Sequence, residues 1–186
     1  GQRICFVASG ETSHDTPDFF YQRLISGKAY SAVYTANQQS AGLVGLTRQL
    51  VGTGWTGADR FQYAGSLGPV NPPSHLHSQL VEVGNVLAGC FQLQGLFGVD
   101  LILTDKAWVL EVNPRYTASV EVLEVGFNWP ALNEHLQVCQ GGRPRPPSGP
   151  PLYLCGKAIV YARRDTMISP SFVQFATDAN TDPRCP

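Results

Sequence analysis

The segment that most constrains this chain runs Gly98-Val99-Asp100-Leu101-Ile102-Leu103-Thr104-Asp105-Lys106-Ala107-Trp108-Val109-Leu110-Glu111-Val112-Asn113-Pro114-Arg115. Two apolar runs flank the polar dipeptide Asp105-Lys106, which predicts a β-hairpin. With the turn centred on that dipeptide, Thr104 pairs with Ala107, Leu101 with Leu110 and Asp100 with Glu111. Side chains alternate along a strand, so Asn113 falls on the same face as Glu111, one step nearer the open end.

Like charges directly opposite on a sheet cost roughly 0.2 to 1 kcal/mol when exposed, and more when desolvated. Two facing carboxylates with an amide carbonyl beside them form a hard, all-oxygen site suited to Mg²⁺ (or Mn²⁺) carried together with phosphates. Arg115 adds a planar fork that matches phosphate or carboxylate. A hairpin whose acids simply face water is the bland alternative. The apolar flanks, the Asn on the same face and the Arg two residues beyond it favour the cation site.

Composition narrows the remaining classes. At 186 residues the chain is long enough to bury a core without disulfides. Charged residues are 15% and apolar ones 43%, which excludes a coiled coil or a disordered tail, and no apolar run reaches bilayer length. A net charge of -1 gives no general attraction to nucleic acid or to an anionic membrane, so neither is expected as a partner. The five cysteines, Cys5, Cys90, Cys139, Cys155 and Cys185, are scattered, with neither C-x-x-C nor zinc spacing. They read as reduced thiols in a cytoplasmic protein. No secretory signal pattern is visible.

The chain reads as a single domain over 1–186, with a core at 19–140, a Pro-rich surface crossing at 143–151, and a further strand and tail at 152–186. Residues 19–25 and 29–35 predict two strands, or one bent strand, around Ser26-Gly27; residues 41–50 predict another. Residues 53–73 are dense in Gly, Pro and aromatics and predict a long loop with little regular structure. Leu76, Leu80, Val83 and Leu87 predict a helix over 74–92, with Ser74 as its N-cap. A short helix follows Ser119, and another starts at Asn128 with Pro130 in its first turn and ends at Gly141-Gly142. Residues 157–162 predict one more strand, and the tail from Ser169 has no clear period. The fold class expected is α+β with a largely antiparallel sheet and packed helices.

Gly98-Val99-Asp100 with Leu110-Glu111-Val112-Asn113-Pro114-Arg115 resembles the metal-binding hairpin of the ATP-grasp superfamily. Tyr21-Gln22-Arg23-Leu24-Ile25-Ser26-Gly27-Lys28-Ala29-Tyr30-Ser31 is similar to that family's hinge and following strand. Phe61-Gln62-Tyr63-Ala64-Gly65-Ser66 and Lys157-Ala158-Ile159-Val160-Tyr161-Ala162 resemble the carboxylate-amine ligase branch related to biotin carboxylase and to methanofuran-pathway ligases. The resemblance implies that Asp100, Glu111 and Asn113 hold Mg²⁺ against the phosphates of ATP. It implies that Gln22, Arg23 and Leu24 meet the adenine edge and that Arg115 steadies the transferred group. It further implies small-molecule carboxylate and amine substrates, and an N-terminal lobe of the same protein preceding residue 1, with Gly1-Gln2-Arg3-Ile4 as a remnant of its phosphate-covering loop. Where many members carry a ribose-binding acid after the hinge Gly, this chain has Lys28-Ala29.

The rival reading from another class is a non-catalytic nucleotide- and metal-binding scaffold module. A metal-dependent phosphate-ester hydrolase would want a general base that the sequence does not supply, and a covalent Ser or Cys enzyme lacks its motifs. His75 and His77 stand alone at a helix start and read as solvated, with His14 and His135 no better as ligands. Trp55, Phe61 and Tyr63 either line an acceptor pocket or pack their loop on the core. Glu121 and Glu124 read as an exposed helix face, with support of the Arg115 loop as the alternative. Lys157 reads as an exposed edge residue.

Overall fold

The computed structural model describes residues 21–181. Six strands form one sheet in the order β5-β4-β1-β2-β3-β6, antiparallel at every pairing. They are β1 (Lys28–Asn37), β2 (Ala41–Val51), β3 (Tyr63–Gly68), β4 (Gln94–Leu103), β5 (Ala107–Asn113) and β6 (Cys155–Ala158). The helices are α1 (Ser74–Phe91), α2 (Ala118–Phe127), α3 (Ala131–Cys139) and α4 (Pro170–Thr181). The α+β class with an antiparallel sheet is thus observed. Among the described residues, no helix is long and apolar enough to cross a membrane.

Strand alternation divides the sheet into two packed faces. Phe97, Val99 and Leu101 turn to one side with Ala32 and Tyr34 and pack against Leu80 and Ala88 of α1. Tyr34 stacks on Phe97 with ring centroids 4.9 Å apart and donates its hydroxyl to the Leu80 carbonyl at 2.9 Å. Burial pushes that phenol well above its ordinary range, so it remains a donor. Val33, Val44 and Leu96 turn to the other side, under Val120 and Leu123 of α2 and Ala131 of α3. Asp100, one residue from Val99, therefore belongs to the α2 face.

Several expectations are corrected by these elements. Residues 21–25 form no strand, while Phe19 and Phe20 lie outside the described residues. The segment 53–73 is not a plain loop: it holds a short 3₁₀ turn at Gly54–Thr56 and the whole of β3, which lies between β2 and β6. A Gly-rich strand is tolerated there because β6 crowds it; a Cβ on Gly65, whose φ is 139°, would stand 2.0 Å from the Lys157 carbonyl oxygen. Pro73, not Ser74, is the N-cap of α1, and β6 is shorter than predicted and ends at Ala158. The tail is helical as α4.

The helix expected after Ser119 is α2, but α3 starts at Ala131 with Pro130 as its N-cap, not at Asn128, which caps the end of α2, and it stops at Cys139. His135 on α3 is not merely solvated. Its Nδ1 accepts the Leu96 backbone N–H at 3.0 Å, on a stretch of β4 beyond Gly98, where pairing with β5 has ended.

Candidate functional site

The hairpin of β4 and β5 turns through residues 104–106, not through the predicted dipeptide alone. Leu103 pairs with Ala107, Ile102 with Trp108 and Leu101 with Val109. This is one residue out of step with the predicted register. A bulge then leaves Leu110 unpaired, and beyond it Asp100 stands opposite Glu111, Val99 opposite Val112 and Gly98 opposite Asn113. The facing acids survive because the error at the turn and the bulge cancel.

Asp100 is half-buried and Glu111 exposed, while Asn113 is buried to 9% exposure. The Asn113 amide donates toward Asp100 Oδ2 at 3.5 Å and its carbonyl oxygen accepts from Arg115 Nη2 at 3.3 Å. Gln49 Nε2 donates to Asp100 Oδ1 at 2.9 Å. Burial pushes the Asp100 carboxyl above its ordinary value, and the charge of Glu111 adds to that. The neighbouring hydroxyl of Ser31, Gln49 and the Arg115 guanidinium pull it back. Ser31 pairs with Asp100 across β1 and β4, and its own Oγ is buried without a well-formed hydrogen bond.

Arg115 is exposed and held over the hairpin's end by Asn113 Oδ1 and the Tyr116 carbonyl, each at 3.3 Å. The chain then turns into α2, whose N-cap Thr117 sits directly above Gly98. A Cβ on Gly98 would meet Thr117 Cγ2 at 2.7 Å. Ser119 Oγ accepts from Thr47 Oγ1 at 2.9 Å and lies 3.3 Å from Ser66 Oγ, tying α2 to β2 and β3.

Glu124 fastens the Arg115 loop instead of lying on a free helix face. It accepts from the Tyr116 hydroxyl and from the Ala131 N–H at 3.0 Å. Glu121 pairs with Lys157, which is partly covered and not a free edge residue. Ser31, Gln49, Thr47 and Ser119 carried no sequence signal, since isolated hydroxyls and amides form no motif.

Gln22, Arg23 and Leu24 lie in an irregular, exposed segment before β1. His75 and His77 are exposed on α1. Cys90, Cys139 and Cys155 are free thiols, while His14, Cys5 and Cys185 lie outside the described residues. Among the described residues, no three His, Cys, Asp or Glu side chains converge. A metal here would rest on the two acids, the Asn113 amide and oxygens of its ligand. The donor set fits a hard divalent cation: two oxygen anions face each other, one of them desolvated, beside the buried Ser31 hydroxyl and an exposed side.

The comparisons with known proteins agree with this architecture. The ATP-grasp domain family model matches residues 1–119. An uncharacterised protein of Methanocaldococcus jannaschii is 27% identical over 105 residues, covering 56% of this chain and 24% of that protein. The biotin carboxylase domain of a single-chain bacterial carboxylase superposes with a TM-score of 0.59 at 18% identity, over 73% of this chain and 33% of that one. The L-amino acid ligase from Bacillus licheniformis gives 0.60 at 14% identity, over 76% of this chain and 37% of that one. The chain thus spans a quarter to somewhat more than a third of the length of these relatives. With the family model matching residues 1–119, which include both strands of the hairpin, the chain belongs to the ATP-grasp domain family.

Proposed function

We propose that this chain is the metal- and nucleotide-binding portion of a Mg·ATP-dependent ligase that joins a carboxylate to an amine through an acyl phosphate. The observation that carries the reading is the facing of Asp100 and Glu111 across the hairpin, with Asn113 and Arg115 at its end. Mg²⁺ bound with ATP supplies charge neutralisation and orientation of the phosphates. Asp100, Glu111 and Asn113 would hold the cation, and the like charges that destabilise the empty hairpin become its ligands.

Arg115 presents its fork where the transferred group and the acyl oxygen carry negative charge, and a preorganised donor there counts for more in the transition state than in the ground state. Gln49 and Asn113 keep the Asp100 carboxylate turned toward the shared space. Gln22, Arg23 and Leu24 border the nucleotide's adenine. No side-chain nucleophile is required, since the substrate carboxylate attacks the phosphorus, ADP leaves, and the amine then displaces phosphate from the acyl carbon. The ligase named among the solved relatives supports this reaction class.

The test is Mg·ATP binding and amine-dependent phosphate release by the full-length product of the gene, with Asp100→Asn and Glu111→Gln beside it. Binding that is lost in both variants supports the reading. Full turnover with either acid removed overturns it. Nucleotide binding without turnover, whatever acid and amine are supplied, favours the scaffold module.

A further inference from the structure

Across the sheet from the acid pair, one aromatic hydroxyl is positioned with unusual care. Tyr63 opens β3, where a bulge falls between its pairing with Val51 and that of Gly65 with Leu50, so that Ala64 is the extra residue. Bulges beside sites re-aim a side chain. The Tyr63 carbonyl is pinned from outside by the Tyr161 hydroxyl at 2.7 Å, and its own hydroxyl meets Ser66 Oγ at 2.9 Å. Gly65, with no room for any side chain, fixes the bend between them. Ser66 in turn pairs with Gln49 on one side and with Lys157 on the other. The Tyr63 hydroxyl is therefore bonded to the residue that stands between Gln49, which holds Asp100, and Lys157, which is paired with Glu121.

Electrostatics place the same groups around the same point. Burial raises the Tyr63 phenol above its ordinary value; Ser66 and Lys157 lower it, and Asp100 and Glu121 raise it. Through Ser66, which pairs with Gln49 and with Lys157, the phenol joins the polar row that runs from Asp100 to the β6 edge. It stays protonated, so what it offers there is a hydrogen-bond donor. Lys157, one of whose three donors is taken by Glu121, adds two more on a partly covered stem.

We propose that Tyr63 and Lys157 form the subsite for the carboxylate substrate, donating to the oxygen that receives or carries the phosphoryl group on the side of the site opposite Asp100 and Glu111. The chemical class is a carboxylate or its acyl phosphate. Both present two or more acceptor oxygens to a neutral donor and a cation. This assignment rests on the ligase reading above.

The experiment runs the phosphoryl transfer backward in the full-length protein, with Mg·ADP and acetyl phosphate as the smallest acyl phosphate. An ADP oxygen attacks the phosphorus, ATP forms and acetate leaves. Wild type forms ATP, and Tyr63→Phe, which removes one hydroxyl from a half-buried ring, raises KM for acetyl phosphate roughly ten- to hundred-fold while KM for ADP stays unchanged. Lys157→Met shifts the same constant in the same direction. If wild type forms ATP and both variants keep their KM for acetyl phosphate, the subsite assignment is overturned while the ligase reading stands. If wild type forms no ATP, the ligase reading fails and the assignment falls with it.

Discussion

Gln49 on β2 reaches across β1 to hold Asp100 on β4, donating to Oδ1 at 2.9 Å over two strand spacings, or roughly 10 Å of sheet. The acid that faces Glu111 is thus oriented by a residue from outside the hairpin. Replacing Gln49 by Ala leaves Asp100 beside Glu111 with one donor fewer. Affinity for Mg·ADP should fall roughly 10- to 100-fold with little change in fold, as for other groups that orient a metal ligand. Calorimetric titration of the variant checks this, and an unaltered affinity would make the bond incidental.

Asp100→Asn should separate stability from binding. It removes a like-charge pair and should stabilise the metal-free protein by roughly 0.2 to 1 kcal/mol at neutral pH while abolishing Mg·ADP binding. The pH dependence follows from the sign of the shift. The folded state holds the Asp100 proton more tightly than the unfolded chain does, so this group favours folding below its ordinary value of 3.8. That support is lost as the pH climbs through the raised value. Melts in EDTA should show the Asn variant gaining on wild type across that window and then holding a constant lead. A difference that does not vary with pH would remove the desolvation argument.

Arg115→Ala should keep its fold, since the side chain is exposed, and should lose roughly 10²- to 10³-fold in rate, about 2.7 to 4 kcal/mol of transition-state stabilisation. Arg115→Lys should recover only part, keeping the charge without the fork. Single-turnover rates beside thermal melts distinguish the cases. A variant that melts early but reacts normally when folded would make Arg115 structural.

Gly98→Ala places a methyl group 2.7 Å from Thr117 Cγ2. Either the N-terminus of α2 lifts or β4 sinks, at a cost of about 1 to 3 kcal/mol. Because Thr117 follows the Arg115 loop, activity should fall further than stability explains. Pairing Gly98→Ala with Thr117→Ser, which deletes the obstructing methyl, should restore both; failure of the rescue would show that the contact is not the cause.

The hairpin was legible because a period of two and a polar break leave few registers, and Asp100, Glu111 and Asn113 were placed on one face from that alone. The bulge at Leu110 was not legible, since Leu pairs as readily as it bulges and only the ladder decides. β3 was hidden for another reason. Its Gly65 and Gly68 carry turn signals locally, yet they are there because β6 and β2 approach too closely for side chains. Ser31 on β1 and Thr47 and Gln49 on β2 meet Asp100 of β4 and Ser119 of α2 only through the strand order, which local pattern does not encode. The short ladder of β6 and the helical tail were missed because a four-residue strand and an unpaired amphipathic helix leave weak periodicity.

The bond from the Leu96 N–H to His135 bears on what can add to this edge of the sheet. Where β5 stops, β4 becomes an open margin, and an unpaired margin rich in apolar side chains is a template on which another chain can add a strand. The imidazole occupies the donor that such a strand would need, and α3 lies over the same margin. The ring therefore acts as a plug against edge-to-edge assembly, and His135→Ala should show its effect less in the activity of fresh protein than in turbidity as concentrated samples age.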